Sequence, residues 1–153
     1  MIPLFPDAIL GLKKGEKFPM FMVLLKTNLN PKTHVCNFAP KLVELDEGKP
    51  LAKQFREHLA CDRFDTLEVN IDGRPYTIVM DADGAANSKI PSYYVSSECI
   101  IFGDILFGHR NANYEIVGVE EKDAVFLAMH LLENTSRMND RTADRGTTGT
   151  VRG

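Results

Sequence analysis

Apolar positions along the chain alternate between strand-like and helix-like spacing, and the changes mark its elements. Residues 21–26 (FMVLLK) form a short apolar run between Pro19 and the Asn30-Pro31 turn, which favours a buried strand over a helix at this length. Residues 34–38 can pair with it. Residues 41–46 (KLVELD) put Val43 and Leu45 on one face and Leu42 and Glu44 on the other, a third strand that Glu47-Gly48 ends. The spacing then lengthens. After Pro50, which suits a first helical turn, Leu51, Phe55, His58 and Leu59 follow at i, i+4, i+7 and i+8 and predict an amphipathic helix. Leu67, Val69 and Ile71 return to period two, and Asp72-Gly73 followed by Tyr76, Ile78 and Met80 predicts a tight β-hairpin.

Residues 81–97 contain Gly84, Asn87, Pro91 and four serines and read as a long excursion with one helical turn at most. Residues 100–107 (IIFGDILF) and 114–119 read as two further strands joined by a turn at 108–113, with Gly103 marking a bulge or a close backbone approach. Glu120, Glu121 and Asp123 then supply the carboxylates that favour a helix start, predicting a helix over 120–133. Every residue from Ala124 to Leu132 except His130 is apolar, so more than one side of this helix calls for cover. The segment before Pro19 holds Ile2, Leu4, Phe5, Ile9, Leu10 and Leu12, too apolar for a free tail, and is expected to pack as an arm.

Residues 134–153 change character. They are rich in Thr, Gly, Arg and Asp and offer too little apolar surface to offset their ordering entropy. Their four arginines and two aspartates leave the tail at +2 and residues 1–133 at -5, within a formal net charge of -3 for the chain. A four-residue unit repeats there, so that Arg137, Arg141 and Arg145 would line one ridge if the helix continued. Such a ridge suits an acidic surface, including that of a second copy of the chain. The domain organisation expected is one α+β domain over 1–133, with its apolar N-terminal arm, followed by a polar tail over 134–153.

Composition narrows the function classes. The length of 153 residues and 44% hydrophobic content are those of a globular domain with a core of its own. A pI near 5.8 argues against nucleic-acid binding driven by counterion release from phosphates. No apolar stretch approaches the ~20 residues that cross a bilayer, and the N-terminus has no cationic region ahead of its apolar residues, so a cytoplasmic protein is expected. Cys36, Cys61 and Cys99 are odd in number and widely spaced, which suits buried thiols in a reducing compartment.

The candidate chemistry is sparse. His34-x-Cys36 and His58-x-x-Cys61 have zinc-type ligands without the spacing of a structural zinc site. Asp81-Ala-Asp83-Gly84, at a strand end, can hold a divalent cation or simply form a turn; it lacks the Gly position and bidentate acid of a calcium-binding loop. There is no phosphate-cradling glycine loop, nucleophile elbow or metalloprotease motif. His109, beside Arg110, is expected in a hairpin turn, and Tyr93-Tyr94 is expected to cap the sheet edge with both hydroxyls in water.

The motifs Tyr76-Thr-Ile-Val-Met-Asp-Ala-Asp-Gly84, Ile90-Pro91, Phe102-Gly-Asp-Ile105 and Glu120-Glu121 resemble those of the domain of unknown function 3846 (DUF3846), a family of small proteins of bacteriophages and mobile elements. The resemblance covers about residues 66–130. It implies a phage or mobile-element origin, hence the host cytoplasm if viral, and assigns no catalytic residue. Residues 21–46 and the arginine tail depart from the family pattern.

The sequence therefore predicts an α+β fold: a mixed or antiparallel sheet with a β-hairpin, two main helices on it and a polar C-terminal tail. The expected function is non-enzymatic, without a cofactor: binding or regulation of a protein partner through Phe126 and His130 of the second helix, Arg137, Arg141 and Arg145 of the tail, or the N-terminal arm. Self-association as a structural component is the close alternative. A metal-dependent hydrolase or transferase using Asp81 and Asp83 is the alternative from another class.

Overall fold

A computed structural model describes residues 20–46, 48–87 and 89–134. The chain orders its elements as β1 (Met20–Leu29), β2 (Cys36–Leu45), α1 (Leu51–Leu59), β3 (Phe64–Ile71), β4 (Arg74–Asp81), β5 (Pro91–Ser96), β6 (Cys99–Phe102), β7 (Ile105–Arg110) and β8 (Ile116–Val117), followed by a helix over residues 121–134, α2. The fold is α+β, as the alternation of spacings predicts, and every strand pairing is antiparallel.

The main sheet runs β2-β1-β7-β4-β3, with β8 paired to the end of β7. Two sequence-local hairpins, β1–β2 and β3–β4, thus flank a central strand from late in the chain. The β3–β4 turn is the one that Asp72-Gly73 predicts: Ile71 pairs with Arg74, and both turn residues have positive φ, 51° at Asp72 and 83° at Gly73. Left-handed backbone at both positions matches the twist of the flanking strands. The Asn70 side chain accepts the Gly73 N–H at 2.8 Å and pins the turn from below.

Side-chain alternation divides the sheet into two faces. Val23, Leu25, Ile78, Ile105 and Phe107 point to the side covered by α2, where they meet Ala124, Leu127 and Leu131. Met22, Leu24, Val79 and Leu106 point to the other side and meet Phe55 and Leu59 of α1. The α1 helix stops after Leu59 because Ala60 takes a left-handed conformation and turns its N–H back to the Glu57 carbonyl.

Several strands differ from the expectation. The two short strands expected at 34–38 and 41–46 are one ten-residue strand, β2, that runs through Pro40. Because β2 lies at the sheet edge, an imino nitrogen is tolerated there. The single strand expected at 100–107 is broken at Gly103, whose φ of 88° ends β6 and redirects the chain into β7 in the other sheet. The excursion expected at 81–97 contains β5, which pairs with β6 as a separate two-stranded sheet. Ser92, fully buried in β5, donates to the Ile101 or Gly103 carbonyl across that hairpin. The strand expected at 114–119 shrinks to Ile116–Val117.

Candidate functional site

The loop after β4 is the strongest sequence candidate for a metal. Asp81 and Asp83 are brought together there, and their oxygens are already engaged. Asp81 Oδ1 accepts the Asp83 N–H at 2.8 Å, while Oδ2 accepts Asn87 at 3.1 Å and sits 2.8 Å from Lys89 Nζ. Asp83 is held by Arg63 through two bonds, of 2.7 and 3.1 Å. A cation at Asp81 would have to displace the Lys89 ammonium, so the arrangement is that of a turn closed by its own counter-ions. Burial pushes the Asp81 carboxyl up, but Lys89, the Asp83 N–H and Asn87 together outweigh it and hold the group below the usual carboxylate range. Lys89 spends its remaining donors on the Leu59 and Ala60 carbonyls at the end of α1.

Among the described residues no group of three or more His, Cys, Asp or Glu side chains is placed to hold a metal ion. Cys36, Cys61 and Cys99 are half-buried free thiols rather than deep core residues, and burial pushes the Cys36 and Cys61 thiols up, away from the thiolate form a nucleophile needs.

His109 is not in a turn. It lies near the end of β7, where both ring nitrogens face acceptor oxygens at 3.1 Å: the Pro75 carbonyl on β4 and the Asp123 carboxylate in the first turn of α2. With its two nitrogens directed at protein oxygens on β4 and α2, the ring works as a strut between sheet and helix. Tyr76 stacks on it with ring centroids 4.8 Å apart, and Arg74 lies 4.0 Å over the Phe126 ring. The Tyr76 hydroxyl is buried close to Arg74 and Asp123 without a well-formed hydrogen bond to either, and burial raises its phenol against the pull of Arg74.

Tyr93 also departs from expectation. It is buried, its ring edge packs on Phe107, and its hydroxyl meets His130 Nε2 at 3.0 Å. Burial, with a smaller contribution from Asp72, pushes its phenol up to about 12. Both α2 residues singled out in the sequence are therefore committed inward: Phe126 packs against the core beside Arg74 and Tyr76, and His130 against Tyr93. Arg137, Arg141, Arg145 and the N-terminal arm lie outside the described residues.

The outward side of α2 is made by other residues. Ala124, Leu127, Ala128 and Leu131 are buried at i, i+3, i+4 and i+7, whereas Val125, Met129 and Leu132 are 40%, 53% and 40% exposed at i, i+4 and i+7. This row of apolar side chains is bounded by exposed Glu121 and Lys122 at one end and Glu133 at the other. The apolar run from Ala124 to Leu132 signals such a surface. It does not say which residues face out, because His130, the only polar marker in the run, turns inward to Tyr93.

Two clefts lie beside the loop after β4. One, of about 300 Å³, is lined by Lys26, Leu59, Lys89 and Asp104, and the other, of about 270 Å³, by Asp65, Asp81, Ile101 and Phe102. The charged groups of the first are paired internally: Asp104 accepts Lys26 at 2.9 Å and the Thr27 N–H and hydroxyl at 2.8 Å each. Among the described residues no helix is long and apolar enough to cross a membrane. No family model, curated protein or solved structure matches the chain.

Proposed function

We propose that this is a non-catalytic binding protein of the cytoplasm that engages another protein through the outward face of α2. The observation that carries the reading is the row Val125, Met129 and Leu132, apolar, exposed and regularly spaced on a helix whose opposite side is anchored in the core. The partner it suits presents apolar side chains flanked by lysine or arginine, complementing Glu120, Glu121 and Glu133, which outnumber Lys122 around the row. The internal pairing of Asp81, Asp83 and His109 supports binding over turnover. A phage or mobile-element origin, which the DUF3846 resemblance implies, is compatible with a small regulator of a host protein.

Incorporating a photoreactive residue at Leu132 and irradiating cells that make the protein tests the reading. The expected product is a discrete adduct with a second protein, abolished by Val125→Glu. An adduct of twice the chain's own mass assigns the face to self-association instead, and the absence of any adduct overturns the reading.

A further inference from the structure

We propose that the first occupant of α2's outward face is this chain's own segment 1–19, docked in cis and displaced when a partner binds. The inference rests on reading that face as a contact surface and adds how it is kept from water until used.

The point of attachment is the first argument. Described structure begins at Met20, the first residue of β1, and the Phe21 carbonyl accepts the Val119 N–H at 2.8 Å, two residues before α2 opens. Gly118 lies so close to the Phe21 backbone that a Cβ there would collide with it. Segment 1–19 is therefore tethered beside the first turn of α2, about one helical turn from Val125.

Reach and composition agree. From Val125 to Leu132 the row extends about 10 Å along the helix, whereas nineteen residues span about 60 Å when extended, so the segment can cover the row even if it folds back. It carries Ile2, Leu4, Phe5, Ile9, Leu10, Leu12 and Phe18, apolar groups that gain by leaving water. Lys13, Lys14 and Lys17 outnumber Asp7 and Glu16, giving it a net charge opposite to that of Glu120, Glu121, Lys122 and Glu133 taken together around the row.

Area separates this occupant from a second copy. Three partly exposed side chains present on the order of a few hundred Å², well short of the ~800 Å² per partner of a stable dimer. A tethered segment is held by less, because its effective concentration at the face is fixed by the linker rather than by the protein concentration.

Methionine oxidation by dilute peroxide, read peptide by peptide, tests the proposal on the purified full chain. Met129 reports on the face, and fully buried Met22 reports on the integrity of the fold. Met129 is expected to be protected in the unaltered chain at all protein concentrations, and to oxidise several-fold faster when Ile9→Ser, Leu10→Ser and Leu12→Ser are combined. Equal rates in the two proteins overturn the proposal, as does protection that disappears on dilution, which assigns the face to a second copy. If Met22 also becomes reactive in the variant, zero-length carbodiimide coupling of the unaltered chain decides. Links from Lys13, Lys14 or Lys17 to Glu121 or Glu133 within one monomer are expected, and their absence overturns the proposal. A freely oxidised Met129 alongside a partner adduct at Leu132 in cells removes the segment and leaves the binding function standing; a protected Met129 with no adduct does the opposite.

Discussion

On the α2 side of the sheet Val23, Ile78, Phe107 and Leu127 meet in one apolar cluster, whereas on the α1 side the same sheet turns Glu68, Thr77, Asp81 and Arg110 beneath and beside a helix of nine residues. The α1 side is closed by polar clasps. Thr77, fully buried, donates to Glu68, which Arg110 caps at 2.7 Å before reaching on to Thr66. Gln54 ties α1 back to both backbone groups of Asp46, and Lys89 ties the helix end to Asp81. The contrast shows how a short helix can cover a sheet: ion-paired side chains lie over the strand surface it does not reach. The α1 side leans on carboxylate pairs along its strands, whereas on the α2 side the charged pairing is confined to Asp123 with His109 and Arg74 at the start of the helix, and the buried apolar area beneath it is insensitive to pH.

The largest effect expected is on the apolar side. Phe107→Ala removes a fully buried ring from the centre of the cluster and should cost about 3–5 kcal/mol in urea unfolding, with a similar loss at pH 4 and pH 7. A loss under about 1 kcal/mol would mean that α2 does not seal this face.

On the clasped side, Lys89→Met leaves the Asp81 carboxylate buried without its cation and should cost about 3 kcal/mol at pH 7. The sign of the pH dependence follows from the carboxyl being held below its usual range in the folded chain. Its contribution is complete above the unfolded value near ~3.9 and is lost as pH falls through the folded value. In Lys89→Met the largest contribution that lowers the carboxyl is gone while burial still opposes its ionisation, so the gap between variant and unaltered protein should narrow on acidification. A gap constant from pH 7 to pH 3 would show that the clasp contributes packing rather than charge.

The smallest effects sharpen the contrast from within the apolar face, which holds two tyrosines beside two histidines. Tyr93→Phe breaks the bond to His130 and should cost about 1 kcal/mol, while Tyr76→Phe removes a buried hydroxyl that makes no well-formed bond to its neighbours Arg74 and Asp123 and should cost less. Equal losses at the two sites in thermal unfolding would mean that the Tyr76 hydroxyl is paired in solution.

Much of this architecture is legible in local chemistry. Asp72-Gly73 fixes the β3–β4 hairpin because only a left-handed pair closes a two-residue turn there, and Leu51, Phe55 and Leu59 reveal α1 by spacing alone. What is not legible depends on distant partners. Pro40 divides β2 in the sequence, and only its place at the sheet edge makes it harmless. Nothing around residues 105–110 announces that β7 separates two hairpins, since its neighbours β1 and β4 lie far back in the chain. Pro91 and the serines disguise β5, although Tyr93 at its centre is one of the anchors of the core. At the candidate site, the apolar run of α2 points to a contact surface, but an almost uniformly apolar helix carries no phase. Phe126 and His130 are the natural choices by size and chemistry, and both point to the core side.

The central position of β7 has a consequence for the order in which the molecule is made. During synthesis β1–β2 and β3–β4 emerge as two separate half-sheets that share no hydrogen bond, because the strand that joins them is translated only after both. Until residues 105–110 leave the ribosome, the inner edges of β1 and β4 stay unpaired, and arrival of one six-residue strand satisfies both at once. Folding is thus gated by a long-range closure and is expected to be slow for a chain of this length, with the nascent protein most in need of protection just before its last third appears.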